Sequence, residues 1–273
     1  MQTLAEAYDG PHQVIVRRNE RNLGITAHIN EVMRHARGSL IILMGGDDIS
    51  LPERASVIAQ AWEATGQRAD LLACNVIDMS FAGKDLGTIQ VDDLSKWRSV
   101  EDWAIERPYV IGAGHAVTRR LFERFGPLQP GVMEEDQVNT LRAVCSGGGI
   151  SIRQALVRYR RGGISSGISQ GSGQDFLHQI SRKNRNYLAL LMQWQADARV
   201  AGCAPVVERA TRRTLDRETF LADLLSSQGF RDRLATVRRA DSVDAGWRLK
   251  KLLHVQWPGL AAGTRRLQDH WKR

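Results

Sequence analysis

Over the first 160 residues, short apolar runs alternate with amphipathic stretches, the pattern of a parallel α/β sheet whose strands are separated by helices. Gln13-Val14-Ile15-Val16 reads as a short strand closed by a polar turn at 18–22. Within 25–37, Ile25, Ile29, Val32 and Met33 recur at helical spacing, and Gly38 stands where a C-capping glycine would. Residues 39–44 form a continuous apolar run of strand length, as in a strand covered on both faces, and the run ends in Gly45-Gly46-Asp47-Asp48. Pro52 suits a first helical turn and predicts a helix over 53–65. Strands follow at 71–77 and 89–91 around the turn Gly83-Lys84-Asp85. A helix at 117–125 stops at Gly126-Pro127, and another runs from Glu135-Asp136 to Cys145 before Gly147-Gly148-Gly149. Residues 150–159 read as the last strand.

The pattern then changes. A Gly/Ser-rich linker at 162–173 leads into helical periodicity at 176–201, 205–227, 230–239 and 245–255. The division predicts a domain over 1–166, a linker at 167–174 and a helical region at 175–273. Charge divides in the same place. Residues 1–173 hold 19 Lys/Arg against 20 Asp/Glu, whereas 174–273 hold 19 against 10, so the formal charge of +8 belongs to the helical region. Such a region can face an anionic surface or can simply carry the solvated side of packed helices. Trp247, Leu249, Leu252 and Leu253 among Arg248, Lys250 and Lys251 leave both readings open, core stripe or peripheral membrane contact. No recognised motif accompanies the charge, so nucleic acid is not expected as a partner.

Length and composition exclude other classes. At 273 residues with 42% hydrophobic and 25% charged residues, the chain can bury a large core and is neither fibrous nor disordered. No apolar run is long enough for a spanning helix, and the first residues lack a signal-peptide pattern. Cys74, Cys145 and Cys203 are odd in number and lack zinc spacing, which suits neither a disulfide framework nor a zinc site. The expected location is cytoplasmic, peripheral at the inner face of a membrane if the basic region binds there.

Two acidic groups are candidates for chemistry. Asp47 and Asp48 follow a strand, where ligands of open sheets bind, and adjacent carboxylates there suit a hard divalent cation shared with phosphates. Gly45 and Gly46 admit a phosphate close to the backbone. The same residues also make a good turn and helix cap. Glu134-Glu135-Asp136 opens a helix, where acids favour the dipole, and also offers a carboxylate base for a hydroxyl nucleophile. His28 and His35, seven apart on one helix, read as structural; His115 reads as core or as a substrate contact.

Taken in order, these segments resemble the family-2 glycosyltransferases of the GT-A fold. The resemblance rests on Arg18-Asn19-Glu20-Arg21-Asn22-Leu23-Gly24-Ile25 and on the run from Ala36 through Gly45-Gly46-Asp47-Asp48 to Leu51-Pro52-Glu53-Arg54. It continues through Gly112-Ala113-Gly114-His115, Leu121-Phe122-Glu123-Arg124-Phe125-Gly126-Pro127, Glu135-Asp136 and Leu156-Val157-Arg158-Tyr159-Arg160-Arg161. It covers about residues 3–166.

The resemblance implies a partial GT-A, Rossmann-like mixed sheet with flanking helices, followed by the helical basic region. It implies an inverting, metal-dependent transferase moving a sugar from a nucleotide-diphosphate sugar to a glycan or lipid-linked acceptor, as in cell-surface polysaccharide biosynthesis. Asp47, with Asp48, would hold Mg2+ or Mn2+, and Asp136, with Glu135, would act as base. Asn22, Gly24, Gly45, Gly46 and Arg160 would line the donor, with Arg158 as a further phosphate contact. Gly45 stands where the family's first metal Asp stands, and no His follows Arg160-Arg161. The family's opening strand and its Asp-Asp-Gly-Ser segment have no counterpart, from which we expect an incomplete donor pocket and an unpaired sheet edge. The alternative is a truncated, non-catalytic remnant that binds partners.

Overall fold

The computed structural model of the chain describes residues 2–162 and 172–261. Six strands make one mixed sheet: β1 (Leu40–Ile42), β2 (Ile49–Ser50), β3 (Leu71–Met79), β4 (Asp85–Ile89), β5 (His115–Thr118) and β6 (Gly149–Arg160). Their order is β1-β5-β3-β6-β2, with β4 paired to β3 beyond β5. β5 runs antiparallel to both β1 and β3, and β3 runs parallel to β6. The strands β1, β3 and β6 therefore point the same way and deliver their carboxyl ends to one end of the sheet.

Helices α1 (Gln2–Glu6), α2 (Gly24–His35), α3 (Arg54–Ala64), α4 (Val100–Ile105), α5 (Arg119–Phe125) and α6 (Glu135–Val144) lie among these strands. The C-terminal region is helical: α7 (Gly173–Ala201), α8 (Ala204–Ser226), α9 (Gly229–Arg239) and α10 (Ala245–Gln256). An α/β mixed sheet with flanking helices followed by a helical region is the architecture that the resemblance implies. Most of the Gly/Ser linker and the tail after Ala261 lie outside the described residues. No described helix is long and apolar enough to cross a membrane.

Four expectations need correction. The sheet is mixed and not parallel as the apolar pattern alone predicts, since β2, β4 and β5 run antiparallel to their neighbours. The strand expected at 89–91 is β4, Asp85–Ile89, which ends where that expectation begins. Residues 13–16 form no strand; Val14, Ile15 and Val16 lie exposed, because β propensity becomes a strand only where a neighbour supplies the ladder. The helix expected over 117–125 starts at Arg119. Val117 and Thr118 belong to β5, paired with Ile41 and Leu40 of β1, and Val117 also meets Leu71 of β3. Helix α4 went unread although Ser99 and Asp102 form a capping box, each side chain bonded to the other's backbone N–H.

Strand β3 is buried on both faces and forms the middle of the core with Ala116, Val117, Leu156 and Val157, under Ile58 and Trp62 of α3. A second cluster joins Trp103, Val138 and Leu141 to Leu190, Leu191 and Trp194 of α7. Inside that seam Arg142 and Asp197, both buried, form a two-point ion pair at 2.7 and 3.1 Å. Removing one partner of such a pair strands a charge, so the pair fixes how α7 sits on α6. Cys145 and Cys203, far apart in sequence, meet here as free thiols with sulfurs 3.5 Å apart. A third cluster, Phe220, Leu221, Leu224, Val237, Leu252 and Val255, holds α8, α9 and α10 together.

Candidate active site

The shared carboxyl ends of β1, β3 and β6 carry the acidic residues read from the sequence, at the place where open sheets bind ligands. After β1 the chain loops through Gly45-Gly46-Asp47-Asp48 into β2, which pairs with β6 so that Ile49 lies opposite Arg158. The loop is thereby drawn against the end of β6. Asp48 Oδ1 accepts the Arg160 backbone N–H at 2.9 Å, and Arg160 Nε donates to the Asp47 carbonyl at 2.9 Å. Arg160 Nη1 donates to Phe81 O at 2.8 Å. Arg160 thus clamps the aspartate loop to the β3–β4 turn.

Both aspartate side chains lean over Gly45. A Cβ added there would lie 2.7 Å from Asp48 Oδ2 and 3.0 Å from Asp47 Oδ1, so glycine leaves room into which two carboxylates converge. Gly46 has open space around it. Burial raises the pKa of Asp48, against the opposing Arg160 N–H, while Asp47 stays exposed. Among the described residues no three His, Cys, Asp or Glu side chains gather as a metal cage. Two convergent carboxylates fit a hard divalent cation that completes its shell with phosphate oxygens and water.

The second acidic group begins α6. Glu134 stands at the N-cap, and Glu135 and Asp136 occupy the first turn. Asp136 Oδ1 accepts the Gln137 N–H at 2.7 Å, and the Gly112 N–H also favours its charged form. Burial nevertheless pushes Asp136 up to about 6. Burial, followed by the charge of Asp136, pushes Glu135 up to about 7. Gly112 permits this packing, since a Cβ at Gly112 would lie 2.5 Å from Glu135 Oε1.

The link between the two groups is Arg54, which the sequence reading passed over as part of a helix. It is the first residue of α3, it is buried, and its Nη2 donates to Leu43 O at 2.7 Å and to Ala113 O at 2.8 Å. Leu43 leads into the Asp47-Asp48 loop, and Ala113 follows Gly112. One guanidinium therefore spaces both acidic groups, and its charge reaches Asp48 without direct pairing. A cation in a helix's first turn opposes the dipole, which is the local signal that marks it. Asp78 and Arg161, paired at the ends of β3 and β6 with Nε to Oδ1 at 2.7 Å, close the same end of the sheet. The Tyr109 hydroxyl is raised first by burial, then by nearby Tyr159 and Asp136. No local signal announces Asp78, Arg161 or Tyr109.

Other candidates fall elsewhere. Asn22 Oδ1 accepts the Gly24 N–H at 2.8 Å, a turn leading into α2, and both residues are exposed. His28 bonds Asn19 and His35 bonds Glu31 on the surface, so the two histidines are not brought together. His115 is fully buried, and burial followed by the Arg54 charge pushes it down to about 4. It is a neutral core residue under the site and not a substrate contact. Arg158 pairs with Asp85 at 3.3 Å.

Residues 2–125 match the model of the family described as glycosyl transferase family 2. That span, a little under half of the chain, is what the chain shares with the family. Among curated proteins none matches the chain significantly. Among solved structures, the mannosyltransferase PcManGT from Pyrobaculum calidifontis, in complex with GDP-Man and Mn2+, is similar at 15% identity, over 94% of this chain and 70% of that one, with a TM-score of 0.40. The family-2 span contains Asp47, Asp48, Arg54 and Gly112, whereas Glu135, Asp136 and Arg160 follow it and enter the site through the packing of α6 and β6.

Proposed function

We propose that the chain transfers a sugar from a nucleotide-diphosphate donor to a hydroxyl of a glycan or lipid-linked acceptor, by single displacement with inversion. The observation that carries the reading is the pairing, across Arg54, of an open carboxylate cradle at Gly45 with a desolvated carboxylate pair on α6. Asp47 and Asp48 would hold Mg2+ or Mn2+, which when bound offsets charge developing on the departing diphosphate. Gly46 leaves the backbone open to the phosphates. Asp136 takes the proton of the acceptor hydroxyl as that oxygen attacks the anomeric carbon and the diphosphate leaves from the opposite face. A base with a pKa near 6 is deprotonated at neutral pH yet basic enough to accept that proton. Glu135, with the higher pKa, stays partly protonated beside it and limits like-charge repulsion. Arg54 keeps the two loops at a fixed separation, and Arg160 keeps Asp48 oriented.

The test is donor-dependent release of nucleoside diphosphate with Mn2+ and a panel of acceptors. Turnover should fall by about two to four powers of ten in Asp136→Asn, the range of general-base contributions, with donor affinity unchanged. Metal-dependent nucleotide binding without turnover on any donor and acceptor would favour the partner-binding alternative. Weakened donor affinity with unchanged turnover would remove Asp136 from the role of base.

A further inference from the structure

Two thiols that the transfer chemistry does not use meet in the seam between the sheet and the helical region. Cys145 ends α6 and Cys203 precedes α8, 58 positions later, and their sulfurs lie 3.5 Å apart. Both backbones are held by helix ends. The Cys145 N–H donates to Leu141 O at 3.0 Å, the Cys203 N–H donates to Ala198 O at 2.9 Å, and Gly202 turns the chain between α7 and α8 in the left-handed region at φ 76°. The meeting of the sulfurs is therefore set by how three helices pack. A disulfide needs them about 2.05 Å apart, so the pair stands about 1.5 Å from bonding distance.

The third cysteine supplies a contrast. Cys74 is 1% exposed in β3, among the side chains of the central core, whereas Cys145 and Cys203 are half-buried at helix ends. An oxidant dissolved in water reaches the pair and not Cys74. Arg124, whose Nη1 donates to Ser146 Oγ at 3.2 Å, stands beside the pair, and its charge favours a negative sulfur against Asp197, which Arg142 already pairs. Burial, followed by the neighbouring Cys203 thiol, raises the pKa of Cys145. The first attack on an oxidant therefore falls to Cys203.

We propose that Cys145 and Cys203 form a reversible redox modification site, in which a peroxide oxidises the two thiols to a disulfide that ties α6 to the turn between α7 and α8. The Cys203 thiolate attacks one peroxide oxygen, the O–O bond breaks, and the departing hydroxide takes up the thiol's proton and leaves as water. Cys203 is then a sulfenic acid. The Cys145 sulfur attacks the Cys203 sulfur, the S–S bond forms as the S–O bond breaks, and a second water carries away the Cys145 proton. Two electrons pass from the sulfurs to the peroxide, and a dithiol returns them. The tie crosses the same seam as the Arg142–Asp197 pair, on the helix whose first turn carries Glu135 and Asp136.

Treatment of the full chain with a small excess of hydrogen peroxide tests the site without reference to catalysis. Thiols titrated after denaturation should fall from three per chain to one, and the intact mass should fall by two hydrogens. Digestion should release a peptide pair joined through Cys145 and Cys203, which dithiothreitol separates. The oxidised chain should melt higher than the reduced one by roughly 5 °C or more, because the bond closes a long loop in the unfolded state. Cys203→Ser should lose both the mass change and the melting shift, and Cys74→Ser should keep both. The proposal is overturned if Cys203 proceeds to sulfinic acid while Cys145 stays a free thiol, or if the disulfide forms between chains or with Cys74. An oxidised chain that melts no higher than the reduced one overturns it equally, since the bond would then be forced on the fold.

Discussion

Asp47 and Asp48 sit on a loop, the first exposed and the second half-buried, whereas Glu135 and Asp136 sit at the start of a helix, half-buried and packed against Gly112. Each pair is two adjacent acids at the same end of one sheet. Their surroundings make them different reagents. The loop pair converges on the space that Gly45 leaves, with Asp47 exposed and Asp48 fixed by the Arg160 N–H, an arrangement suited to holding a cation. The helix pair is raised by burial to about 7 and about 6, an arrangement suited to taking a proton. Carboxylates acquire separate tasks when their environments push their pKa values apart.

The sharpest break in that contrast is kinetic. Asp136→Asn should remove turnover by the two to four powers of ten stated above and leave metal-dependent nucleotide binding intact. Asp47→Asn should do the reverse, weakening Mn2+-dependent nucleotide binding by roughly tenfold or more, because one of two protein oxygens is lost from the cation. Calorimetric titration of nucleoside diphosphate into both variants compares them directly, and equal losses in both would abolish the division of labour.

A smaller effect is expected on stability, and its sign follows from the direction of the shift. The pKa of Glu135 rises from 4.5 in the unfolded chain to about 7 in the fold, so its charged form destabilises the native state as pH climbs through that window. Glu135→Gln should therefore stabilise the protein at pH 8 by on the order of 2 kcal/mol, and the gain should vanish below about pH 4.5. Thermal melting at both values checks it. A gain that persists at low pH would point to packing rather than to charge.

The smallest effect belongs to Gly112→Ala. The new methyl would meet the flexible end of Glu135, so the carboxylate should swing outward at a cost of about 1 kcal/mol. As Glu135 regains water, its pKa should fall, and the pH dependence of melting should flatten toward that of Glu135→Gln. An unchanged pH profile would show that Gly112 does not shape this pair.

Much of this was legible in the chain. The apolar run ending in Gly45-Gly46-Asp47-Asp48, the Glu135-Asp136 helix start and the four basic helices were read from spacing and punctuation, because helical periodicity and turn residues act within a few positions. The residues 13–16 carried the same kind of signal as β3 and yet stay exposed, since a strand is completed by its neighbour. Val117 and Thr118 went the other way, drawn out of an expected helix by pairing with Ile41 and Leu40.

What the sequence by itself determined, then, was the local grammar: which stretches are helical, where they stop, which acids stand at strand and helix ends, and where the positive charge collects. Tertiary structure decided what those groups became. Arg54 joins Leu43 to Ala113, Arg160 reaches Asp48 across 112 positions, and Leu252 was buried while Leu249 and Leu253 were left outside. Desolvation and hydrogen-bond partnership depend on which distant segments meet, and no window along the chain contains both sides of such a contact.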